Sequence, residues 1–281
     1  MEMSAADGTV GEAPVLLVGI ANPETAPHLV DLAACLARHA GYALVATQVV
    51  TVPPQALLSS ARGSPQIAAA RDLLRSAVRA AAEQGVRSRA VMEVARNVHE
   101  GVISAAATQR AELILVGYSD SADGPGRSRR AFDRIAHHLA RGTRCDLIVA
   151  KFRQQRLRSI LIPVAAGTSL RLSGRIARAV RAAKGANVRF LHVAQDEAER
   201  AKQHARITAL LQEHGLQDLG DLEVIVSEDV MSAIVERANQ HDLAIVGAEP
   251  HPSLVNSIFG SPAEHIATEA DCTVLVVRAQ R

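Results

Sequence analysis

The sequence predicts an α/β protein of two tandem domains, each a five-stranded parallel sheet of order 3-2-1-4-5 with helices on both faces. Three observations predict it. Short, unbroken apolar runs alternate with segments whose apolar residues recur at helical spacing. That alternation is written twice along a chain of 281 residues, long enough for two domains of ordinary size. Hydrophobic residues make up 48% of the chain but aromatic ones only 2%, with no Trp. The core must therefore be built from Val, Leu, Ile and Ala, as in buried parallel sheets covered by helices.

The elements follow in matched pairs. Val15–Ile20 and Ile160–Val164 are apolar runs short enough for buried first strands. Each leads through turn residues into a helix. Leu29, Leu32, Ala33, Leu36 and Ala40 share one face of the first, and Leu172, Ile176, Ala177, Val180 and Ala183 one face of the second. Both helices stop at a glycine placed as a C-terminal cap, Gly41 or Gly185. Second strands follow at Ala43–Val50 and Val188–Val193. After a longer, more polar helix come third strands near Arg89–Val94 and Leu222–Val226. Short helices run from about Asn97 to Thr108 and from Asp229 to Gln240. "AELILVG" at 111–117 matches "HDLAIVG" at 241–247, and "RCDLIVAK" at 144–151 matches "DCTVLVVR" at 271–278. The offset between matched positions shrinks along the chain, so the first copy is longer in its middle and after its fourth strand. The expected layout is a disordered tail over 1–12, a first domain over 13–152, a basic joint at 151–158 and a second domain over 158–281.

Charge and cysteine content exclude several classes. The net charge is +2 and no domain reads as a basic block, so no nucleic-acid partner is implied. Cys35, Cys145 and Cys272 lack metal-ligand spacing and read as reduced thiols of a cytoplasmic protein. No apolar run reaches the roughly 20 residues that span a bilayer, so an integral membrane protein is not expected. The first residues lack the charge and apolar core of a signal peptide.

In sheets of this order, ligands bind beyond the carboxyl ends of the strands, where the winding reverses between strands one and four. The stretch "GAEPHPSLVNSIFGSPAEH", residues 247–265, begins right after the fourth strand of the second copy. Gly247 is followed by Pro250, then nine residues, then Gly260-Ser261. Glycines let a backbone approach closely and turn N–H groups into one concavity, and a helix starting at Ser261 adds its free N–H groups and positive dipole end. Ser261-Pro262-Ala263-Glu264 also reads as a capping box with Pro in the first turn.

On these residues the chain resembles the tandem type of the universal stress protein family, from about Val15 to Arg278. The nucleotide-binding branch carries G-x2-G-x9-G-[ST] after strand four. Gly247, Gly260 and Ser261 match it, whereas Pro250 stands where the second glycine should be and removes one N–H donor. The resemblance implies ATP or AMP as ligand of the second domain, with a site of Ala165, Val193, Gly247, Pro250, Gly260 and Ser261. Val193 aligns with the position whose backbone lines the adenine pocket. Ala21 and Ala165 stand where family members that bind ATP usually carry Asp. The first copy keeps only the frame, with Asp120 for the second glycine and Asp133-Arg134 for Gly-Ser. "ANPETA" at 21–26, "VPPQ" at 52–55 and "VARNVHEGV" at 94–102 also resemble the universal-stress-like domains fused to amino-acid permeases and cation antiporters.

Two functions follow. One is a stress-response binding module with an adenine-nucleotide site in the second domain. The other is a regulatory protein that binds no nucleotide and acts on a protein partner such as a transporter. Either form implies pairing with itself, within the chain or as a homodimer. A catalytic role is not expected beyond slow, incidental ATP hydrolysis, because no nucleophile–base pair emerges. His137 and His138 are adjacent and diverge on a helix, so no metal site is recognised. Arg127, Arg129, Arg130 and Arg134 read as a solvated arginine loop. His192, between Leu191 and Val193, reads as a packed or rim residue and not as a base.

Overall fold

The computed structural model describes residues 3–4, 13–55, 57, 59, 64–118, 135–153, 156–165, 169–248 and 261–280. Contacts divide the chain into two compact units, and it passes from the first to the second between Val149 and Ala150.

The first unit opens with strand β1 (Met3–Ser4) and continues with β2 (Val15–Gly19), helix α1 (Ala26–Ala40), β3 (Ala43–Thr51), α2 (Pro65–Glu83), β4 (Ser88–Ala95), α3 (Val98–Thr108), β5 (Ala111–Tyr118), α4 (135–142) and β6 (Asp146–Lys151). Its strand order is β4-β3-β2-β5-β6, the expected 3-2-1-4-5. Strand β2 lies parallel to β3 and β5, from Val15 beside Ala43 to Gly19 beside Thr47 and Val116. Leu16, Leu17 and Val18 are wholly buried. Burial on both faces explains why this strand is an unbroken apolar run; each such side chain contributes roughly 1.5–3 kcal/mol. Within the tail expected to be disordered, β1 pairs antiparallel with β4, Met3 beside Ala90 and Ser4 beside Arg89.

The second unit holds β7 (Ser159–Pro163), α5 (Leu170–Lys184), β8 (Asn187–Ala194), α6 (Glu197–Glu213), β9 (Asp221–Val226), α7 (Val230–Ala238), β10 (Leu243–Gly247), α8 (Ser261–Glu269) and β11 (Thr273–Arg278). The order β9-β8-β7-β10-β11 repeats that of the first unit, and every pairing in it is parallel. Right-handed crossovers place α5 and α6 on one face and α7 and α8, which pack on each other, on the other.

Local chemistry repeats as well. Gly41 and Gly185 end α1 and α5 in the left-handed conformation, at φ 72° and 68°, which glycine adopts without the Cβ penalty. Asn97 and Asp229 cap α3 and α7 through side-chain oxygens that accept from the Glu100 and Ser232 amides, each at 3.0 Å. The Ile20 amide donates to the Thr47 carbonyl at 2.8 Å, and the Val164 amide to the Leu191 carbonyl at 2.7 Å. Ahead of β10, the Asp242 carboxylate accepts from the Arg158 and Ser159 amides at 2.8 and 3.0 Å.

Lys151, only 2% exposed, belongs by its contacts to the second unit. Its Nζ donates to the carbonyls of Ala267, Thr268 and Ala270 at 2.7, 3.1 and 3.4 Å. The ammonium thus satisfies carbonyls that the end of α8 leaves open and offsets its negative dipole end. The three cysteines are buried thiols that form no disulfide among the described residues. Burial pushes the Cys272 thiol up to about 11, so it stays protonated and inert at neutral pH.

Thr47 breaks the apolar rule. It is 0% exposed and its hydroxyl has no hydrogen-bond partner among the described residues. A buried hydroxyl without a partner costs about 1–3 kcal/mol. Thr47→Val keeps the β-branched shape and removes that penalty. Urea unfolding is expected to show a gain of about 1 kcal/mol, and a loss of that size would mean that the hydroxyl has a partner after all.

Candidate functional site

Strand β7 is flanked by β8 on one side and β10 on the other. The winding reverses there, so the loops leaving β7 and β10 depart in opposite directions and open a crevice at the carboxyl ends. A cavity of about 180 Å³ lies at that place. Its floor is the strand ends, with Val164, Val193 and Gly247. Its walls are the amino-terminal turns of α5, α7 and α8, through Leu170, Ile234 and Ile266.

Three of the six expected site residues meet here. Ala165 is exposed at the mouth, while Val193 and Gly247 are half-buried in the lining. Pro250 and Gly260 lie outside the described residues, as do Arg127, Arg129, Arg130 and Arg134. Ser261 opens α8, so the helix starts where the capping box places it; the side chain of Ser261 is likewise outside the described set. Glu264, in the first turn, is buried at 7% exposure.

Sequence reasoning missed two polar residues of the lining, Ser169 and Ser173, and named the third, His192, only as a packed or rim residue. His192 is half-buried and its Nδ1 lies 2.8 Å from the Val164 carbonyl oxygen. It is the rim residue expected from its neighbours, but it is also held in one orientation. Ser173, 2% exposed, donates from its hydroxyl to the Ser169 carbonyl at 3.1 Å. The available signal was position alone, since His192 directly precedes Val193 at the end of the second strand. No acidic or basic side chain occurs among the described residues that line the cavity, histidine aside. A fixed negative group stands at the start of α7. The Asp229 carboxyl is held below the ordinary carboxylate range by the Ser232 hydroxyl and amide, with charge on His265 adding to the effect.

The two copies differ around this cavity for a physical reason. In the first unit, α3 buries Gly101, Val102, Ala105 and Ala106, whereas in the second α7 buries only Ala238. A Cβ on Gly101 would stand 2.5 Å from a Val49 methyl, so the missing side chain lets α3 settle onto β3. Counting from the capping residues Asn97 and Asp229, the matching position on α7 is Ala233. On α7, Ala233 carries the methyl that Gly101 lacks, and Val230 and Ile234 are half-buried among the residues that line the cavity.

The rings of His137 and His138 stand edge to face, with centroids 6.0 Å apart and planes at 88°. His138 stacks on His99 of α3, with centroids 4.0 Å apart. Among the described residues, no group of three or more His, Cys, Asp or Glu side chains could hold a metal ion, and no helix is long and apolar enough to cross a membrane.

A family model described as the universal stress protein family matches residues 14–151 and, again, 156–278. No curated protein matches the chain. Among solved structures the chain is similar to a functionally unknown protein from Pseudomonas aeruginosa PAO1, at 16% identity and a TM-score of 0.68 over 95% of this chain and 93% of that one. It is also similar to a universal stress protein from Archaeoglobus fulgidus DSM 4304, at 12% identity and a TM-score of 0.64 over 95% and 96%. A third similarity is to the cytoplasmic domain of a prokaryotic cation chloride cotransporter, at 13% identity and a TM-score of 0.59 over 96% of each chain. At such identities these likenesses carry the fold.

Proposed function

The chain belongs to the universal stress protein family as two tandem copies, and from that premise we propose that it is a binding module whose second copy holds an adenine nucleotide, ATP or AMP. The observation that carries this reading is the cavity at the switch point, which gathers Ala165, Val193 and Gly247 from three separate strand ends. At about 180 Å³ it is smaller than the roughly 300–1,000 Å³ clefts that enclose whole drug-sized ligands, and its lining is largely apolar. Those two properties suit one flat ring system, the base, with the rest of the nucleotide outside the cavity. Ala165 offers no carboxylate to a ribose, so affinity rests on the base and on the segment that starts at Gly247.

The site is read as binding without turnover. Its described walls supply one histidine and two serines, and the histidine nitrogen that carries the proton is committed to the Val164 carbonyl. The first copy is read as a structural partner in which the glycine pattern has been replaced.

Isothermal calorimetry of the full chain with ATP, AMP and cyclic AMP tests this. The expected result is saturable binding of at least one of the three, with ATP recovered intact. A folded protein that gives no heat with any of them would overturn the reading and favour a regulator that acts on a protein partner.

A further inference from the structure

A backbone carbonyl can only accept a hydrogen bond. The nitrogen of His192 that faces the Val164 carbonyl at 2.8 Å must therefore carry the hydrogen. In the neutral ring this leaves Nε2 as a bare lone pair. No hydrogen bond to Nε2 is formed by any described residue, and His192 is one of the residues that line the cavity. Ser173 is constrained in the same way. Its one hydroxyl hydrogen is directed at the Ser169 carbonyl at 3.1 Å, so toward the cavity its oxygen can only accept. Two side chains on different elements, β8 and α5, thus carry acceptors among the lining residues, beside the Ser169 hydroxyl, in a cavity that is otherwise largely apolar.

We infer that this cavity reads hydrogen-bond donors, and that His192 Nε2 selects a ring bearing an exocyclic amine, the 6-aminopurine, over a purine that lacks it. The inference rests on the nucleotide reading above and adds the residue that discriminates. An acceptor buried against a ligand without a donor loses its water and gains nothing in return, whereas an amine restores the bond. A carbonyl or carboxylate oxygen placed against His192 Nε2 would meet its lone pair and find no donor there.

The test compares AMP with purine riboside 5′-monophosphate, which differs only in lacking the 6-amino group, by calorimetry on the full chain and on His192→Phe. Phenylalanine keeps a flat ring but removes both nitrogens. For the unsubstituted chain, AMP is expected to bind about tenfold more tightly than the analogue. In His192→Phe the two are expected to bind alike, because AMP falls to the level of the analogue while the analogue is unchanged. A merely structural role for His192 would weaken both ligands together. Equal affinities in the unsubstituted chain overturn the inference and leave the nucleotide reading standing, and this comparison needs no variant to fold. A preference that survives in His192→Phe assigns the selection to another group and also overturns it. Absence of binding by both ligands removes the nucleotide reading and this inference with it.

Discussion

Gly220→Ala is expected to destabilise the protein by about 3 kcal/mol or more. Gly220 precedes β9, where the chain passes the start of β8. A Cβ added there would stand 2.1 Å from the Val188 carbonyl oxygen and 2.6 Å from its carbon. Both are backbone atoms of a central strand. Val188 sits beside Ile160 in the β7–β8 register, so it cannot retreat without disturbing the parallel pairing at the middle of the sheet. Overpacking costs about 1–3 kcal/mol when side chains can give way, and here a main chain would have to. Gly142→Ala is the control. Its nearest obstacle, at 2.3 Å, is the terminal methyl of Ile103, the far end of a flexible side chain. Urea unfolding of both variants should place the Gly220 loss well above that of Gly142. A Gly220 loss under 1 kcal/mol would mean that the strand start is far softer than its pairing suggests.

Val193→Phe should lower adenine-nucleotide affinity by about a hundredfold or more while leaving the fold intact. Val193 is half-buried and its side chain forms part of the cavity lining. A phenyl ring in its place occupies the space that the base would fill. Because that space is already open, the larger side chain enters without displacing core residues, so the stability change should stay within about 1 kcal/mol. A hundredfold loss corresponds to about 2.7 kcal/mol of binding free energy, in the range of losing a well-packed ring contact. Calorimetry and an unfolding curve on the same preparation separate the two effects. Nucleotide affinity within threefold of the unsubstituted chain would place the ligand elsewhere. The first copy offers a contrast, since Val49, the counterpart of Val193, already lies against Gly101. Val49→Phe should therefore unfold that copy before it blocks anything.

These expectations draw on different amounts of sequence information. The strand of Val15–Gly19, the helix of Ala26–Ala40, the caps at Gly41 and Gly185 and the helix starts near Asn97 and Asp229 could be read because each depends on a few neighbouring residues. Apolar runs mark strands buried on both faces, helical periodicity marks a packed face, and a capping side chain bonds within its own turn. The repeat extended that reading across the chain, and it located the crevice, because strand order follows from connectivity. Gly85 and Gly215, left-handed at φ 74° and 63° after α2 and α6, were open to the same reasoning.

Thus the sequence by itself determined the duplication, the parallel sheets and the strand ends at which a ligand is received. Each is a sum of local preferences that no distant residue has to confirm. Only the tertiary structure decided that Gly220 abuts the backbone of Val188, that α3 buries four residues while α7 buries one, and that the Val164 carbonyl holds the His192 ring. Those facts depend on which atoms from remote segments come within about 3 Å of one another. Val164 and His192 are 28 residues apart, and no pattern within either stretch states that a carbonyl of one will orient the ring of the other.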